Sequence, residues 1–279
     1  MITLGVDIGS VTTKVVLLKG DKILALVIRE TGAYPKLAAE KALGEALSKA
    51  SLSKTDIEYI VSTGYGRRAI DFGDRVVTEI SACAKGALYT MERILECNSD
   101  VVGIVAAKSQ TLHSVRTIID LGGQDTKVIS LNENGDIADF VMNDKCAAGT
   151  GRFLEVIAQA LQVGLEDLGE LSLKSKSPIP INSTCTVFAE SEVISLIAQG
   201  KSKEDIIAGI NYSIAERIVG MLRQVGEKET IFFVGGGAKN VGIRKALEDK
   251  TGLKVYVPTN PQFVIALGAA LIASKANES

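Results

Sequence analysis

One short pattern occurs twice in this chain, at widely separated positions. In each copy an apolar run ends in an aspartate, a glycine turn follows, and a Thr-Lys pair opens a second apolar run. Seven positions separate the aspartate from the lysine in both copies, Asp7 from Lys14 and Asp120 from Lys127. Each copy predicts a β-hairpin with a polar tip. Two such hairpins in one chain predict two structurally related lobes.

The two predicted hairpin tips favour phosphate binding. Glycine lets the chain turn closely and exposes backbone N–H groups, and N–H groups around a concavity bind phosphate oxygens. The aspartate that ends each first strand, Asp7 or Asp120, can hold a hydrated Mg²⁺ ion. An ordinary hairpin with a glycine turn would explain either copy alone, so the prediction depends on the matching pair.

A third glycine-rich turn, Gly235-Gly236-Gly237-Ala238, follows an apolar strand near the C-terminus. After this turn, residues 241–250 predict a helix, residues 255–258 a strand, and residues 263–273 an alanine-rich closing helix. Gly-Gly-Gly-Ala does not match the G-x-G-x-x-G pattern of dinucleotide-binding folds, and it comes too late in the chain. We therefore do not predict a Rossmann domain.

Composition and charge exclude several classes of function. Apolar residues make up 46% of the 279 residues. The chain has 31 Lys and Arg residues and 33 Asp and Glu residues, which gives a net charge of −2. That balance predicts no binding to nucleic acid or to an anionic membrane. No apolar run approaches the ~18 residues of a membrane-spanning helix, and the N-terminus lacks a secretory pattern. Four cysteines do not form a disulfide framework in a chain of this size. We expect a cytoplasmic protein with reduced cysteines.

Two cysteines, Cys146 and Cys185, stand directly before helix-like patterns. A cysteine in such a place can be a core residue, a nucleophile or a metal ligand. The core interpretation is the usual one, and we keep it for Cys83, while Cys97 is assigned no role. The single histidine, His113, lies outside every motif, so a Cys–His nucleophile has weak support.

The hairpin and glycine motifs, with the closing stretch Ala266-Leu267-Gly268-Ala269-Ala270, resemble those of a large ATP-binding superfamily. It comprises acetate kinase, sugar kinases, heat-shock chaperones and actin, and is known as ASKHA. The resemblance implies an α/β, two-lobed, ribonuclease H-like fold with an ATP cleft between the lobes. We expect residues 1–115 and 262–279 to form the first lobe. Residues 116–261 would form the second, which carries the two cysteines.

Within this superfamily, four stretches are similar to the BadF/BadG/BcrA/BcrD-type ATPases: TGYGRR (63–68), DLGGQDTK (120–127), MNDKCAAGTGRFLE (142–155) and STCTVFAESEVISLI (183–197). That family contains the ATPase activators of 2-hydroxyacyl-CoA dehydratases and the ATPase subunits of benzoyl-CoA reductases. The resemblance implies a homodimer with one 4Fe–4S cluster on its twofold axis. Cys146 and Cys185 of each subunit would hold the cluster.

The residues themselves agree with this implication. A 4Fe–4S cluster normally takes four thiolates. Cys146 and Cys185 are 39 residues apart with no C-x-x-C nearby, so one chain supplies two ligands and a symmetric dimer supplies four. Free N–H groups at helix N-termini stabilise thiolates, and we expect both following helices to offer such groups. Glu190 and Glu192, near the second cysteine, are interpreted as helix-surface or capping residues.

The resemblance also assigns roles in nucleotide binding. Asp7 and Asp120, with Asp125 as a third candidate, would organise Mg²⁺ and water, and Gln124 would orient the attacking water as the third catalytic residue. Lys14 and Lys127 could each be simply a solvated charge at a hairpin end, and Lys127 is the weaker candidate for a phosphate contact. The expected cofactor-binding residues are Ser10, Val11, Thr12, Thr13, Lys14, Gly122, Gly123, Gln124, Gly235, Gly236, Ala238, Asn240 and Gln262.

The implied function is ATP-driven electron transfer. A ferredoxin-like or flavodoxin-like donor would reduce the cluster, and the ATP-bound homodimer would deliver a low-potential electron to an iron–sulfur partner, foremost a 2-hydroxyacyl-CoA dehydratase. One alternative is the ATPase component of a benzoyl-CoA reductase or of another low-potential iron–sulfur reductase. Others are a small-molecule kinase and a nucleotide-gated scaffold. The connection at residues 97–117 is longer than the resemblance implies, and residues 101–107 predict an added strand. This strand would either alter the surface that meets the partner or only extend the first lobe, which leaves the partner open.

Overall fold

The computed structural model of the chain describes residues 1–96, 115–181, 185–226 and 229–276. Short 3-10 turns at Lys54–Asp56, Gly236–Lys239 and Pro261–Phe263 connect some of its elements. The strands are β1 (Ile2–Ile8), β2 (Thr12–Lys19), β3 (Lys22–Glu30), β4 (Tyr59–Thr63), β5 (Arg75–Val76), β6 (Thr117–Leu121), β7 (Thr126–Leu131), β8 (Ile137–Asn143), β9 (Ile231–Val234) and β10 (Val255–Tyr256). The helices are α1 (Pro35–Ala50), α2 (Glu79–Glu96), α3 (Gly151–Leu161), α4 (Leu168–Leu173), α5 (Thr186–Ala198), α6 (Lys203–Val225), α7 (Val241–Thr251) and α8 (Val264–Ser274).

Contacts divide the chain into two compact units. The first unit comprises Met1–Val115, Glu133–Ile137 and Pro258–Ser279. The second unit comprises Arg116–Asn132 and Ala138–Val257. Each unit is built on one five-stranded sheet with helices packed against it.

In the first unit the strand order is β3-β2-β1-β4-β5, and β1 pairs antiparallel with β2 and parallel with β4. Helices α2 and α8 cross closely on this sheet because each has a glycine at the crossing. A Cβ on Gly86 would lie 1.9 Å from the Val264 carbonyl oxygen, and one on Gly268 would lie 1.8 Å from the Ala82 oxygen. The small residues of the closing stretch therefore allow two helix backbones to pack together.

In the second unit the order is β10-β9-β6-β7-β8. The long helix α6 lies against this sheet, and its apolar side is fully buried together with sheet residues such as Ile119 and Phe233. Its start is marked by Ser202, whose hydroxyl accepts a hydrogen bond from the backbone N–H of Asp205 at 3.1 Å. Ser at this position satisfies a helix donor that would otherwise have no partner.

The two sheets repeat the same strand order, so β1 corresponds to β6, β2 to β7, and β4 to β9. Both hairpins predicted from the sequence are confirmed. Their antiparallel register places Asp7 opposite Lys14 in the first unit and Asp120 opposite Lys127 in the second. The repeat in the sequence is thus a repeat in the fold.

Several local predictions are also confirmed. The helix predicted for residues 241–250 is α7, and the closing helix predicted for residues 263–273 is α8. The strand predicted for residues 255–258 is shorter, because β10 ends at Tyr256. Cys83 is fully buried on α2, as the core interpretation requires.

Three predictions fall outside the described residues, namely the absence of a role for Cys97, the position of His113 and the strand at residues 101–107. No helix in the described part of the chain is both long and apolar enough to span a membrane.

Candidate functional site

The tip of the first hairpin is closed by its own backbone. The N–H of Gly9 donates to the carbonyl oxygen of Thr12 at 3.1 Å. Below it, Lys14 Nζ donates to Asp7 Oδ2 at 3.1 Å, and the Asp7 side chain is only 4% exposed. A carboxylate removed from water to this degree needs a charged or hydrogen-bonding partner. Lys14 is that partner. The residue predicted to contact phosphate, Lys14, is therefore ion-paired with Asp7, which was predicted to hold Mg²⁺.

The second hairpin tip repeats this arrangement with one more carboxylate. The backbone N–H of Gly122 donates to the backbone carbonyl oxygen of Asp125 at 2.9 Å. Lys127 Nζ lies 3.2 Å from Asp120 Oδ2 and 2.7 Å from Asp125 Oδ1. Because Lys127 is 2% exposed, its interpretation as a solvated charge is wrong. Two carboxylates thus contact one ammonium here, whereas Lys14 contacts one carboxylate at the first tip.

A glycine after a neighbouring parallel strand packs against each aspartate. A Cβ on Gly64, after β4, would lie 2.4 Å from Asp7 Oδ1, and one on Gly235, after β9, would lie 2.4 Å from Asp120 Oδ1. Both glycines have positive φ, 88° and 85°. Only glycine fits such a position without strain.

The sequence interpretation assigned a role to Gly235 but none to Gly64. The missed signal is a shared Gly-x-Gly spacing, Gly64 with Gly66 and Gly235 with Gly237. A Cβ on Gly66 would lie 2.5 Å from Ile8 Cγ2, and one on Gly237 would lie 2.3 Å from a Leu121 methyl carbon. Each loop therefore packs its glycines against the end of the aspartate-bearing strand.

The predicted nucleotide residues differ in how accessible they are. Ser10, Val11 and Thr12 are partly exposed at the first tip, and Gln124 is exposed at the second, beside the partly exposed Gly122 and Gly123. Thr13 is fully buried, and its hydroxyl lies 2.9 Å from the Thr31 hydroxyl, which in turn donates to the Gly9 oxygen at 2.8 Å. The Thr13 side chain thus fixes the shape of the tip, and a direct phosphate contact from it stays a prediction.

In the glycine turn after β9, Gly236 is exposed and Ala238 is buried. The Asn240 side chain caps α7, where its Oδ1 accepts from the N–H groups of Gly242 at 3.0 Å and Ile243 at 3.1 Å. It also faces the buried Asn211 amide at 3.5 Å. Asn240 therefore has a complete structural role, and its nucleotide contact stays a prediction. Gln262 belongs to the first unit, in the turn that precedes α8.

Cys146 is partly exposed in a compact loop between β8 and α3, which we call the Cys146 loop (residues 143–150). The Asn143 amide donates to the carbonyl oxygens of Cys146 and Ala148, both at 3.1 Å. The Thr150 hydroxyl donates to the Ala147 oxygen at 2.6 Å. Gly149 turns the chain with φ of 86°. The loop is thereby held in one conformation by its own side chains.

The start of α3 is attached to the second hairpin tip. The N–H of Gly151 donates to the Gly122 oxygen and that of Arg152 to the Gly123 oxygen, both at 2.8 Å. The prediction that this helix offers free N–H groups to Cys146 is therefore wrong for these two donors. They are among the helix-terminal N–H groups that lack partners within the helix itself, and the carbonyls of the tip satisfy them.

Cys185 has a different setting, at the N-cap of α5. It is partly exposed and its side chain makes no capping hydrogen bond. Helix α5 packs against α3 through buried residues such as Ala189 and Val193. Its other side is apolar and exposed, with Val187 65%, Phe188 68% and Ile194 53% accessible. Glu190 and Glu192 are partly exposed on this helix.

The chain that leads toward Cys185 is fastened to the start of α6. The Asp205 carboxylate accepts from the Ser175 hydroxyl at 2.7 Å and from the N–H groups of Lys176 and Ser177, both at 2.9 Å. The Ser177 N–H and the Ser175 hydroxyl are the main causes that hold the pKa of Asp205 well below its ordinary value. The Ile179 N–H donates to the Asp205 backbone oxygen at 3.0 Å.

Among the described residues, no group of three or more His, Cys, Asp or Glu side chains is arranged to hold a metal ion. The second unit thus contains two partly exposed thiols, a hairpin tip in which one lysine contacts two carboxylates, and a hydrogen-bonded connection from that tip to the loop of one thiol.

Comparison with known proteins shows similarity along the whole chain. The model of the BadF/BadG/BcrA/BcrD ATPase family matches residues 4–273. The activator of lactoyl-CoA dehydratase from Anaerotignum propionicum is 42% identical over 277 residues, covering 99% of this chain and 98% of that protein. The (R)-2-hydroxyglutaryl-CoA dehydratase activating ATPase from Acidaminococcus fermentans is 42% identical over 275 residues, covering 98% and 97%.

Solved structures show the same relationship. The activator of the 2-hydroxyisocaproyl-CoA dehydratase from Clostridium difficile, with bound ADPNP, has a TM-score of 0.87 and 40% identity, covering 100% of this chain and 96% of that one. A ROK family glucokinase from Streptomyces griseus has a TM-score of 0.56 at 13% identity, covering 99% and 100%, a likeness of fold alone. The predicted ASKHA-type α/β fold is confirmed.

Proposed function

Because the chain belongs to the BadF/BadG/BcrA/BcrD ATPase family, we propose that it is an ATP-driven electron-transfer protein that activates a 2-hydroxyacyl-CoA dehydratase. The observation that carries the proposal is the pair Cys146 and Cys185. Both are free and partly exposed, and they precede two helices that pack together in the unit that holds the second hairpin tip. Proteins similar over their full length are named for activating dehydratases of this class.

The cysteine pair fits a shared 4Fe–4S cluster. Such a cluster normally takes four thiolates, and the described residues of one chain provide no third ligand beside either thiol. Two copies related by a twofold axis would together supply four cysteines. A bound cluster would supply a one-electron carrier, with Cys146 and Cys185 of each chain holding it.

The exposed side of α5 supports the homodimer. Val187, Phe188 and Ile194 are each more than half exposed, and Val187 and Phe188 lie two and three residues after Cys185, in the first turn of α5. Clustered large apolar side chains at the surface of a protein mark an interaction site. A second copy docked on this side of α5 would bury them and bring its own cysteines to the same place.

The two hairpin tips and the glycine turn after β9 are the proposed ATP-binding elements. Asp7 and Asp120 are already paired with lysines, so they act by fixing Lys14 and Lys127 and by orienting water. Asp125 is 28% exposed and is the carboxylate most accessible to a hydrated Mg²⁺, whose preferred ligands are carboxylates and water. Gln124, which is exposed at the second tip, is the residue proposed to orient an attacking water.

The electron would come from a ferredoxin-like or flavodoxin-like donor and would pass to an iron–sulfur dehydratase. The similar proteins act with lactoyl-CoA, 2-hydroxyglutaryl-CoA and 2-hydroxyisocaproyl-CoA dehydratases by their names. Activators that are similar along their whole length are thus named for dehydratases with different acyl-CoA substrates. We therefore propose that the partner dehydratase, and not the activator, selects the acyl-CoA substrate. ATP can drive this transfer only if it binds one conformation of the chain better than the other.

The direct test is ATP-dependent electron delivery. The chain is reconstituted with iron and sulfide without oxygen, reduced, and mixed with a purified 2-hydroxyacyl-CoA dehydratase, and product is measured with and without ATP. We expect activation only with ATP, its loss in Cys146→Ser and Cys185→Ser, and its retention in the core control Cys83→Ala.

Each alternative predicts a different result when the same reconstituted protein is assayed for its own activity. A colourless protein that phosphorylates a sugar would support the kinase. Hydrolysis and partner binding that Cys146→Ser leaves unchanged would support the scaffold. Electron delivery to a benzoyl-CoA reductase core, and to no dehydratase, would support the reductase component.

A further inference from the structure

We propose that Thr126 is a positioning residue that couples the second hairpin tip to Cys146, so that nucleotide at the tip changes the surroundings of this cysteine. The inference rests on the proposed function, because it takes the tip to bind nucleotide. Thr126 itself is 1% exposed and touches no proposed ligand. Its effect is therefore indirect, through the loop that carries the cysteine.

The contact that defines the coupling is a buried hydrogen bond. Thr126 opens β7, directly after the tip, and its hydroxyl donates to the Gly149 oxygen at 2.6 Å. Gly149 is three residues after Cys146, at the point where the Cys146 loop turns with positive φ. A hydrogen bond between buried groups is costly to leave unmade, so the loop follows the strand.

Two further hydrogen bonds join the same elements. Gly151 and Arg152, at the start of α3, donate to the carbonyls of Gly122 and Gly123 in the tip. A Cβ on Gly151 would lie 3.0 Å from the Gly122 oxygen and 3.2 Å from Gly123 Cα. The tip, the loop and the helix start are thus in close backbone contact, with little space for one to move without the others.

The Cys146 loop then carries the movement to the cysteine. The Asn143 amide holds the carbonyls of Cys146 and Ala148 together, and Thr150 holds that of Ala147. Every carbonyl from residue 146 to residue 149 therefore accepts a hydrogen bond from one of three side chains, namely Asn143, Thr126 and Thr150. A shift of the Gly149 carbonyl is transmitted along a chain of contacts rather than absorbed in a slack loop.

Cys185 is connected to the second tip less directly, through the packing of α5 against α3, which gives the inference an internal comparison. The stretch at residues 175–177, earlier in the chain that leads toward Cys185, is held by Asp205 at the start of α6, and none of these contacts involves the second hairpin tip. Nucleotide should therefore change the reactivity of Cys146 more than that of Cys185.

The experiment measures thiol alkylation in the full chain prepared without iron. Iodoacetamide labelling of each cysteine is followed by peptide mass spectrometry, with and without Mg-ADPNP. We expect the nucleotide to change the labelling rate of Cys146 by about fivefold or more, a typical size for coupling between two sites. The change at Cys185 should be smaller. In Thr126→Val the change at Cys146 should fall to within about twofold, because one net hydrogen bond is lost.

Two control variants separate the hydroxyl from general damage to the strand. Thr126→Ser keeps the hydroxyl and should keep the response. Ser130→Ala removes another buried hydroxyl from β7, one with no hydrogen-bond partner among the described residues, and should also respond like the unaltered chain. If Thr126→Val fails to fold, Thr126→Ala, which also removes the hydroxyl, decides instead, and it should reduce the response in the same way.

A second measurement uses the reconstituted dimer, in which the rate of iron removal by a chelator is followed with and without Mg-ADPNP. The nucleotide effect on this rate should also be reduced in Thr126→Val. A full nucleotide response at Cys146 in Thr126→Val, with nucleotide affinity unchanged, would overturn the coupling and leave the proposed function standing. Failure of the unaltered chain to bind Mg-ADPNP would overturn the proposed function itself, and this inference with it.

Discussion

Gly235 lies so close to Asp120 that a Cβ at position 235 would come within 2.4 Å of Asp120 Oδ1. Gly64 has the same relationship to Asp7 in the first unit. The lack of a side chain at each glycine lets a loop backbone approach a buried carboxylate closely. Substitution of the glycine by alanine tests whether this close approach is required.

We expect Gly235→Ala to lower the free energy of unfolding by about 3 kcal/mol or more, from strain at positive φ plus overlap with Asp120. The control is Gly252→Ala. Gly252 also has a positive φ of 70°, but nothing lies within 4 Å of a Cβ there, so this substitution should lower the free energy of unfolding by about 1–2 kcal/mol. Urea unfolding measures both. Equal losses in the two variants would show that the close approach to Asp120 is unimportant.

The ion pair beneath the second tip gives another prediction. Lys127→Met leaves Asp120 buried without its ammonium, and removal of one partner of a buried pair costs about 3–5 kcal/mol. Lys14→Met should cost less, because Lys14 is 14% exposed and has one carboxylate partner where Lys127 has two. The control Lys145→Met, at a side chain 89% exposed, should change the free energy of unfolding by no more than about 0.5 kcal/mol. A Lys127→Met variant as stable as this control would refute the role of the pair.

Asp205 makes stability depend on pH in a defined direction. Its pKa is lowered in the folded chain, chiefly by the Ser177 N–H and the Ser175 hydroxyl. Its contribution is therefore present above the ordinary aspartate pKa of about 3.9 and is lost as pH falls through the lower folded pKa. Asp205→Asn should be less stable than the unaltered chain near neutral pH, and the difference between their urea midpoints should narrow at acid pH.

Glu204→Gln is the control for this prediction, since it removes a charge from the same first turn of α6. It should show no such narrowing between neutral and acid pH. A difference between Asp205→Asn and the unaltered chain that stays constant from pH 7 to strongly acid solution would argue against the hydrogen bonds to Asp205 as its cause.

Helix α6 offers a matched pair of glycines. A Cβ on Gly209 would lie 1.8 Å from the Ile179 oxygen, whereas one on Gly220 would meet nothing within 4 Å. Gly220→Ala should stabilise the chain by about 0.5–1 kcal/mol, the usual gain in a helix. Gly209→Ala should destabilise it by about 2 kcal/mol or more, because it displaces the segment that leads to Cys185. Thermal and urea unfolding would test the opposite signs.

Much of this arrangement could be predicted from the sequence, because it depends on local patterns. The hairpins follow from apolar runs that end in Asp and a glycine turn, and their register makes Asp7 and Asp120 face their lysines. The ion pairs Asp7–Lys14 and Asp120–Lys127 follow from the seven-residue spacing, but the sequence analysis predicted neither of them. The burial of Lys127 depends on packing from other elements. The role of Gly64 could likewise have been found from the repeated Gly-x-Gly spacing.

Other features depend on contacts between distant parts of the chain. The attachment of α3 to Gly122 and Gly123 joins residues about thirty positions apart, and no periodicity or motif predicts it. For the same reason the expectation of free N–H groups beside Cys146 was wrong for Gly151 and Arg152, since a helix start can be satisfied by any carbonyl that the fold brings near it. The anchoring by Asp205 is non-local in the same sense.

The central claim is that two chains share one cluster through Cys146 and Cys185. Iron quantitation on the anaerobically reconstituted protein, combined with its mass in solution, tests this most directly. We predict a homodimer with about four irons in total, and a colourless protein when both cysteines are replaced by serine. Four irons in each monomer, or iron retained without these two cysteines, would contradict the account.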